Sequence, residues 1–301
     1  MKVLVTGASG FIGGAVIKKL TQQRIPFVAI GRSCPETVAE ENFISIDLSS
    51  QTIASLTKVL KSVECTHLLH LAWFVKPNQF WEAPENMDWV AYSLTLFRAF
   101  HAAGGNIIVS TGSCAEYGNS KEVLSEAHNE GTPNTLYGTA KLSLNNIAGV
   151  WAKKHDVGFR WARIFFAYGP GMPSAKLIPS LMRCLEGSEP VFSVNALDKR
   201  DFIFIDDIVQ AMLCLLTTRN NGTFNVCNEI GHSVVDILNM LQGFTGFDAS
   251  EIKAIANENT LNLPIVGRNG LLKEIGWQPK YDLASGLKRM VTAHKSPAAG
   301  I

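Results

Sequence analysis

No charge of one sign dominates this chain. Its 301 residues carry 27 Lys and Arg against 26 Asp and Glu, a net +1, which gives no electrostatic case for a nucleic acid or an anionic membrane as partner. No apolar run reaches membrane-spanning length. The apolar N-terminal stretch is broken at once by glycines, unlike a secretory signal, so the chain is expected in the cytoplasm. Paired cysteines are missing too. Cys34, Cys65, Cys114, Cys184, Cys214 and Cys227 are scattered with no C-x-x-C, which argues against a zinc site or a disulfide framework. Of these, Cys65, Cys184 and Cys214 lie in apolar patterns and read as core. There is no internal repeat and no low-complexity segment. What is present, 47% hydrophobic and 18% charged residues, describes a globular chain long enough for one large domain with a smaller lobe. Residues 296–301 are expected to fray.

The chain is organised around its first thirteen residues, M-K-V-L-V-T-G-A-S-G-F-I-G. Val3, Leu4 and Val5 read as a strand buried on both faces. Gly7, Gly10 and Gly13 follow at intervals of three, and Phe11 and Ile12 open a helical pattern to Leu20. Gly7 would allow a tight strand-to-helix turn, Gly10 a close approach of a pyrophosphate, and Gly13 close packing of helix on strand. The spacing is G-x-x-G-x-x-G. T-G-A-S-G-F-I-G resembles the short-chain dehydrogenase/reductase superfamily, and its extended, sugar-nucleotide epimerase/dehydratase branch in particular. The resemblance implies cofactor contacts from Gly7, Gly10, Phe11, Ile12 and Gly13.

Phe27 to Ile30 reads as the second strand, where such folds read the adenine ribose. An acidic residue there accepts from the 2′-OH of NAD, and a basic one pairs with the 2′-phosphate of NADP. The chain offers Arg32 and no carboxylate before Glu36, which favours NADP(H) and leaves NAD(H) open; the alternative is a solvated loop charge. Residues 43–46 read as the third strand. In the resembled family the following Asp47-Leu48 would meet the adenine; otherwise Asp47 only starts the loop before a helix over 51–63. His67 to Ala72 reads as the fourth strand, and Leu71-Ala72 resembles the pair beside the nicotinamide. His67 and His70 have no third ligand near in sequence and are expected to be packed or edge histidines. Residues 73–89 hold three tryptophans, two phenylalanines and two prolines. They read as an ordered loop, either a wall of the substrate site or a plug for its own core. A helix over 86–103 and a strand over 106–110 follow.

V-S-T-G-S-C-A-E-Y-G, residues 109–118, precedes Tyr137-Gly138-Thr139-Ala140-Lys141. Tyr and Lys at i and i+4 share a helix face, in a helix expected between Pro133 and about Lys154. A tyrosine with a normal pKa near 10 is a poor proton exchanger at neutral pH, and an ammonium one turn away would lower it. The family resemblance makes Tyr137 the proton donor, Lys141 its electrostatic partner and holder of the nicotinamide ribose, and Ser113 the hydroxyl that meets the substrate oxygen, with Thr111 and Ser110 as lesser substitutes. Cys114-Ala115 stands where the resembled 4,6-dehydratases carry an acid/base pair. Elimination of water needs both groups, so dehydration is disfavoured. Cys114 reads as a buried thiol, with an acid/base role at a keto-sugar carbon as the alternative.

Residues 163–171, R-I-F-F-A-Y-G-P-G, resemble the family segment that enters the substrate lobe, with Phe166 in place of its Asn. Lys176 is either a phosphate contact or a surface charge. K-R-D-F-I-F-I-D-D at 199–207 resembles the segment whose Arg clamps the substrate diphosphate, which implies that role for Arg200; Asp206-Asp207 read as a helix N-terminal pair. Residues 222–226 read as a strand, residues 233–244 as a helix, and residues 275–287 resemble the family's C-terminal signature.

The expected fold is α/β: a Rossmann-type doubly wound parallel sheet with a smaller C-terminal substrate-binding lobe. Residues 1–166 would bind the dinucleotide, residues 167–301 would form mainly the lobe, and the chain would return to the sheet within about 190–230. The resemblance implies an NAD(P)H-dependent reductase of a 4-keto (deoxy)sugar nucleotide, in which hydride comes from the nicotinamide and Tyr137 donates the proton. Two alternatives are an epimerase that retains NAD and a non-catalytic dinucleotide sensor. The resemblance also implies a homodimer through helices 86–103 and 134–154. No metal is expected.

Overall fold

Val3 and Val5 pack into one hydrophobic cluster and Leu4 into another. The period-two alternation of a strand therefore feeds two cores, one on each face of a sheet. The computed structural model describes all residues except 78, 121–122, 128–130, 191, 193–194, 255–262 and 296–301, so the expectation for 296–301 lies outside the described residues.

In chain order the strands are β1 (Val3–Thr6), β2 (Phe27–Gly31), β3 (Phe43–Ser45), β4 (His67–His70), β5 (Ile107–Ser113), β6 (Gly158–Ile164), β7 (Phe166–Tyr168), β8 (Arg200–Phe204), β9 (Gly222–Val226) and β10 (Gly231–His232). The main helices are α1 (Phe11–Gln22), α2 (Ile53–Val63), α3 (Glu85–Ala102), α4 (Leu136–Lys154), α5 (Leu177–Leu185), α6 (Ile205–Thr217) and α7 (Val234–Thr245); three more, α8 (Ser250–Ala254), α9 (Gly270–Glu274) and α10 (Leu283–Lys295), complete the chain.

Seven strands form one parallel sheet in the order β3-β2-β1-β4-β5-β6-β9, the doubly wound Rossmann arrangement expected from the sequence. On one face Val16, Ile17 and Leu20 of α1 meet Ile208, Met212 and Leu215 of α6. On the other, Leu56 and Leu60 of α2, Leu96 and Phe100 of α3 and Leu144 of α4 share a core. A second, three-stranded sheet, β10-β8-β7, packs with α5, α7 and α10 around Tyr168, Phe204 and Leu287. No helix among the described residues is long and apolar enough to cross a membrane.

Two differences from the sequence reading matter for the site. First, β5 continues to Ser113 rather than ending near Ser110, because it pairs with β6 along its whole length, through Ser113 opposite Ile164. Gly112 permits this: a Cβ there would strike the Trp161 indole and the Glu116 carboxylate. Second, residues 200–204 form β8, where the sequence offered a motif but no strand signal of its own.

Candidate active site

The glycine turn joins β1 to α1 at the carboxyl edge of the sheet. Gly7 holds φ at +74°, and a Cβ there would sit 2.7 Å from the Ala72 nitrogen. A Cβ on Gly13 would fall on the Gly7 carbonyl. Gly10 is different: the nearest atom to its Cβ would be the Gly7 oxygen at 3.3 Å, so internal packing demands little there. Gly10 is exposed and is the N-cap of α1, with no side chain capping the helix. First-turn N–H groups are thus left to a ligand at the positive end of the helix dipole. This cradle fits the pyrophosphate of a dinucleotide. Phe11 and Ile12 are half-buried and pack toward the smaller lobe. The Leu71 and Ala72 N–H groups both donate to Thr6 Oγ1 at 3.2 Å, which fixes the end of β4 beside the turn.

Arg32 is exposed just past β2, and its charge reaches Asp47 beyond β3. The Asp47 carboxylate accepts from the Ser49 N–H at 3.0 Å and the Ser49 hydroxyl at 2.8 Å, and these bonds hold its pKa below the usual range. It caps a short turn, Leu48–Ser50, so the loop-starting alternative is realised whatever else Asp47 does.

Ser113, Tyr137 and Lys141 come together at the end of β5 and the start of α4. Ser113 Oγ accepts from the Ala115 N–H at 3.1 Å and hydrogen-bonds the Tyr137 side chain. The Lys141 ammonium is buried and donates to the Thr111 carbonyl at 2.8 Å. Burial draws its pKa down to about 7, against the opposing pull of the Glu116 charge. The Tyr137 ring is met edge-on by Phe80 at 5.0 Å and Trp81 at 5.7 Å. Burial pushes the Tyr137 pKa up, and the Ser113 bond pulls it the other way. The lowered tyrosine pKa expected from the i, i+4 lysine is not found: burial is the largest influence at Tyr137, and the Lys141 charge is not among those felt there.

The same loop builds the first turn of α4. The Leu136 N–H donates to the Glu82 carboxylate at 3.2 Å, the Tyr137 N–H to the Trp81 carbonyl at 2.9 Å, and the Gly138 N–H to Thr135 Oγ1 at 3.1 Å. Three orphan donors of the helix are thereby satisfied. The loop is thus a wall against Tyr137, and it also contributes Trp73 and Phe80 to the core. Lys176 reaches this wall: its Nζ lies 5.3 Å from the Phe80 ring centre, with its pKa lowered by burial.

Glu116 is fully buried and is not free for chemistry. Its carboxylate pairs with Arg163 Nε at 2.7 Å and accepts from the Trp161 indole at 2.9 Å and the Ser113 N–H at 2.8 Å. This cluster was not foreseen from sequence; only the buried charge at 163 within an apolar strand hinted at it. Cys114 is buried, and burial raises its pKa to about 12, which keeps it a neutral thiol. Arg200 pairs with Asp198 at 2.7 Å, lies 5.6 Å from the Phe166 ring centre, and its charge is felt at Cys114. Asp207 is more than a helix-start charge: it accepts from the Lys280 and Tyr281 N–H groups at 2.8 and 3.0 Å. Among the described residues no group of three His, Cys, Asp or Glu could hold a metal ion.

His70 is packed, as its lack of co-ligands implied. The Ser93 hydroxyl donates to the Trp89 carbonyl at 2.6 Å and so accepts from His70 Nε2 at 2.9 Å. Thr6 Oγ1 receives two N–H groups and so donates to His70 Nδ1 at 2.8 Å. The network fixes a neutral imidazole with its proton on Nε2. Burial, then the Lys141 charge, lowers its pKa to about 3. Between pH 6.5 and 3 the unfolded chain binds this proton and the folded one does not. The resulting stability is complete above pH 6.5 and is lost as pH falls. From pH 7 to 5 the loss due to His70 is about 2 kcal/mol. Urea unfolding of the protein and of His70→Asn at both pH values checks this; the variant should lose correspondingly less.

The model of the NAD dependent epimerase/dehydratase family matches residues 3–227. Over 96% of both chains, this one is 26% identical to the dTDP-4-dehydro-6-deoxyglucose reductase of Escherichia coli. It is 26% identical to the CDP-abequose synthase of Salmonella typhimurium, over 96% of this chain and 97% of that one. Among solved structures, MoeE5 in complex with UDP-glucuronic acid and NAD superposes with a TM-score of 0.84 at 26% identity, covering 99% of this chain and 100% of that one. With the glycine turn, the seven-stranded sheet and this match over most of its length, the chain belongs to the NAD dependent epimerase/dehydratase family.

Proposed function

We propose that this protein is an NADPH-dependent reductase of a 4-keto (deoxy)sugar nucleotide. One observation carries the reading: Ser113, Tyr137 and Lys141 are gathered at one sheet edge, while Glu116, the carboxylate that follows Ser113 in the chain, is locked to Arg163. Reduction needs a proton donor and no second acid/base pair, whereas dehydration needs both. A tyrosine whose pKa is raised stays protonated at neutral pH, which suits it to give a proton to the oxygen of a ketone as that oxygen gains charge.

Gly7, Gly10, Phe11, Ile12 and Gly13 would hold the pyrophosphate side of the cofactor, Arg32, Asp47 and Leu48 its adenosine half, and Leu71, Ala72 and Lys141 the nicotinamide half. When bound, the nicotinamide supplies the hydride. Ser113 donates to the substrate oxygen and orients it against Tyr137. Lys141 keeps positive charge beside the developing oxyanion. Arg200 and Lys176 would bind the diphosphate, and the loop from Trp73 would close over the sugar. In this reading residues 1–166 with β9 bind the cofactor and the remainder forms the lobe. A homodimer through α3 and α4 is part of the same reading, supported by Met87, Ile147 and Val150, apolar and exposed on these helices.

Cofactor content and preference test the reading. The purified protein should arrive without nucleotide, bind NADPH more tightly than NADH, and oxidise NADPH when given a 4-keto-6-deoxy nucleotide sugar. Arg32→Ser should lower NADPH affinity about 10- to 100-fold, the effect of one charge-assisted bond, and leave NADH binding nearly unchanged. Protein that carries NAD through purification would instead be an epimerase returning its hydride to the other face, with Arg32 a bystander.

A further inference from the structure

Burying an ammonium is costly unless something replaces its water. The Lys141 Nζ meets one carbonyl, Thr111, at 2.8 Å. Its other close neighbour is the face of Trp73, whose ring centre is 3.8 Å away; Trp161 lies further off at 5.9 Å. An indole face is the strongest of the aromatic cation acceptors. It also accepts no conventional hydrogen bond, so two of the three ammonium N–H groups stay available.

The indole is held in place. Its N–H donates to Asn86 Oδ1 at 2.9 Å, and Asn86 Nδ2 donates to the Phe80 and Ala83 carbonyls at 2.7 and 2.9 Å. Asn86 is 0% exposed, so turning Trp73 would leave buried polar groups unpaired. Trp89 lies against it at a ring distance of 6.0 Å. The carbonyl that Asn86 grips belongs to Phe80, whose ring packs on Tyr137. One buried side chain therefore ties together the wall on the tyrosine and the platform under the lysine.

We propose that Trp73, anchored through Asn86, is a positioning residue for Lys141: its indole face favours the charged ammonium against the cost of burial and aims it, with two donors free for the ribose of a bound dinucleotide. This rests on the reading of Lys141 given above, although the cation–indole contact does not. The charged and titratable groups facing Lys141 are His70 from β4, Glu116 from the turn after β5 and Tyr137 from α4 itself. His70 stays neutral, and Glu116 is already spent on Arg163. The indole is therefore the adaptable contributor.

The test is a pH titration of the full chain labelled with [ε-13C]lysine, followed by NMR. The Lys141 resonance is assigned by its disappearance in Lys141→Met. Trp73→Leu should move its midpoint down by about one pH unit, and Trp73→Phe by a smaller amount in the same direction. Should Trp73→Leu fail to fold, Trp73→Phe carries the test alone. Midpoints unchanged from the unsubstituted protein would overturn the proposal. The readout needs no substrate, so a shifted Lys141 in a protein that reduces no keto-sugar would sink the reductase reading and leave the contact standing.

Discussion

Tyr137→Phe is expected to lower kcat for reduction of a 4-keto nucleotide sugar by about 10²- to 10⁴-fold, the usual worth of a positioned general acid. The change removes one hydroxyl and keeps the ring that Phe80 and Trp81 meet edge-on. The backbone bond from Tyr137 to Trp81 is untouched, so fold and cofactor binding should persist. Tyr117, the nearest phenol in sequence, is engaged elsewhere: its hydroxyl donates to Asn225 Oδ1 at 2.8 Å and burial holds its pKa up at about 12. The loss should appear in kcat more than in KM, because the interaction strengthens only as the oxygen gains charge. Steady-state kinetics beside NADPH binding measures both. Retained turnover with intact folding would remove Tyr137 from the proton-donor role.

Glu116→Gln should cost about 3–5 kcal/mol of folding stability, the range for breaking a buried ion pair from one side. Glu116 is fully buried and Arg163 nearly so. Neutralising the carboxylate leaves the guanidinium charged in a dry site, with the Tyr117 ring 4.4 Å away as its remaining support. The Glu116 carboxylate also holds the Ser113 N–H and the Trp161 indole through Oε1, and the amide oxygen of Gln can keep accepting from both. Pairing Glu116→Leu with Arg163→Met removes both charges, yet still strands those two donors. The double variant should therefore be less stable than the starting protein by the cost of the two stranded donors. Urea unfolding of the three proteins decides it. A change under 1 kcal/mol for Glu116→Gln would mean that water reaches the pair.

The glycine turn was legible because its determinants are local. A short apolar strand, glycines three apart and a helical pattern dictate a turn with free N–H groups, and Gly7 and Gly13 carry the backbone constraints that such a turn requires. Tyr137 and Lys141 were legible for the same reason, since four residues on a helix is one turn. The lobe side was less legible. β8 has no periodic signature apart from its sheet partners, and the loop after β4 could be read as a wall of the substrate site or as a plug; it gives Trp73 and Phe80 to the core and sets Trp81 against Tyr137.

The sequence by itself determined the strand–helix alternation, the glycine turn and the tyrosine–lysine pair, all set by spacing within one element. Tertiary structure alone decided which groups surround them. It closed Glu116 onto Arg163 and Trp161, laid Trp73 beneath Lys141, and set Phe80 and Trp81 against Tyr137. These contacts join residues far apart in the chain, and they follow from how sheet, helices and loop pack together. The pKa values follow them. A tyrosine expected to titrate low is raised instead, because burial dominates its surroundings.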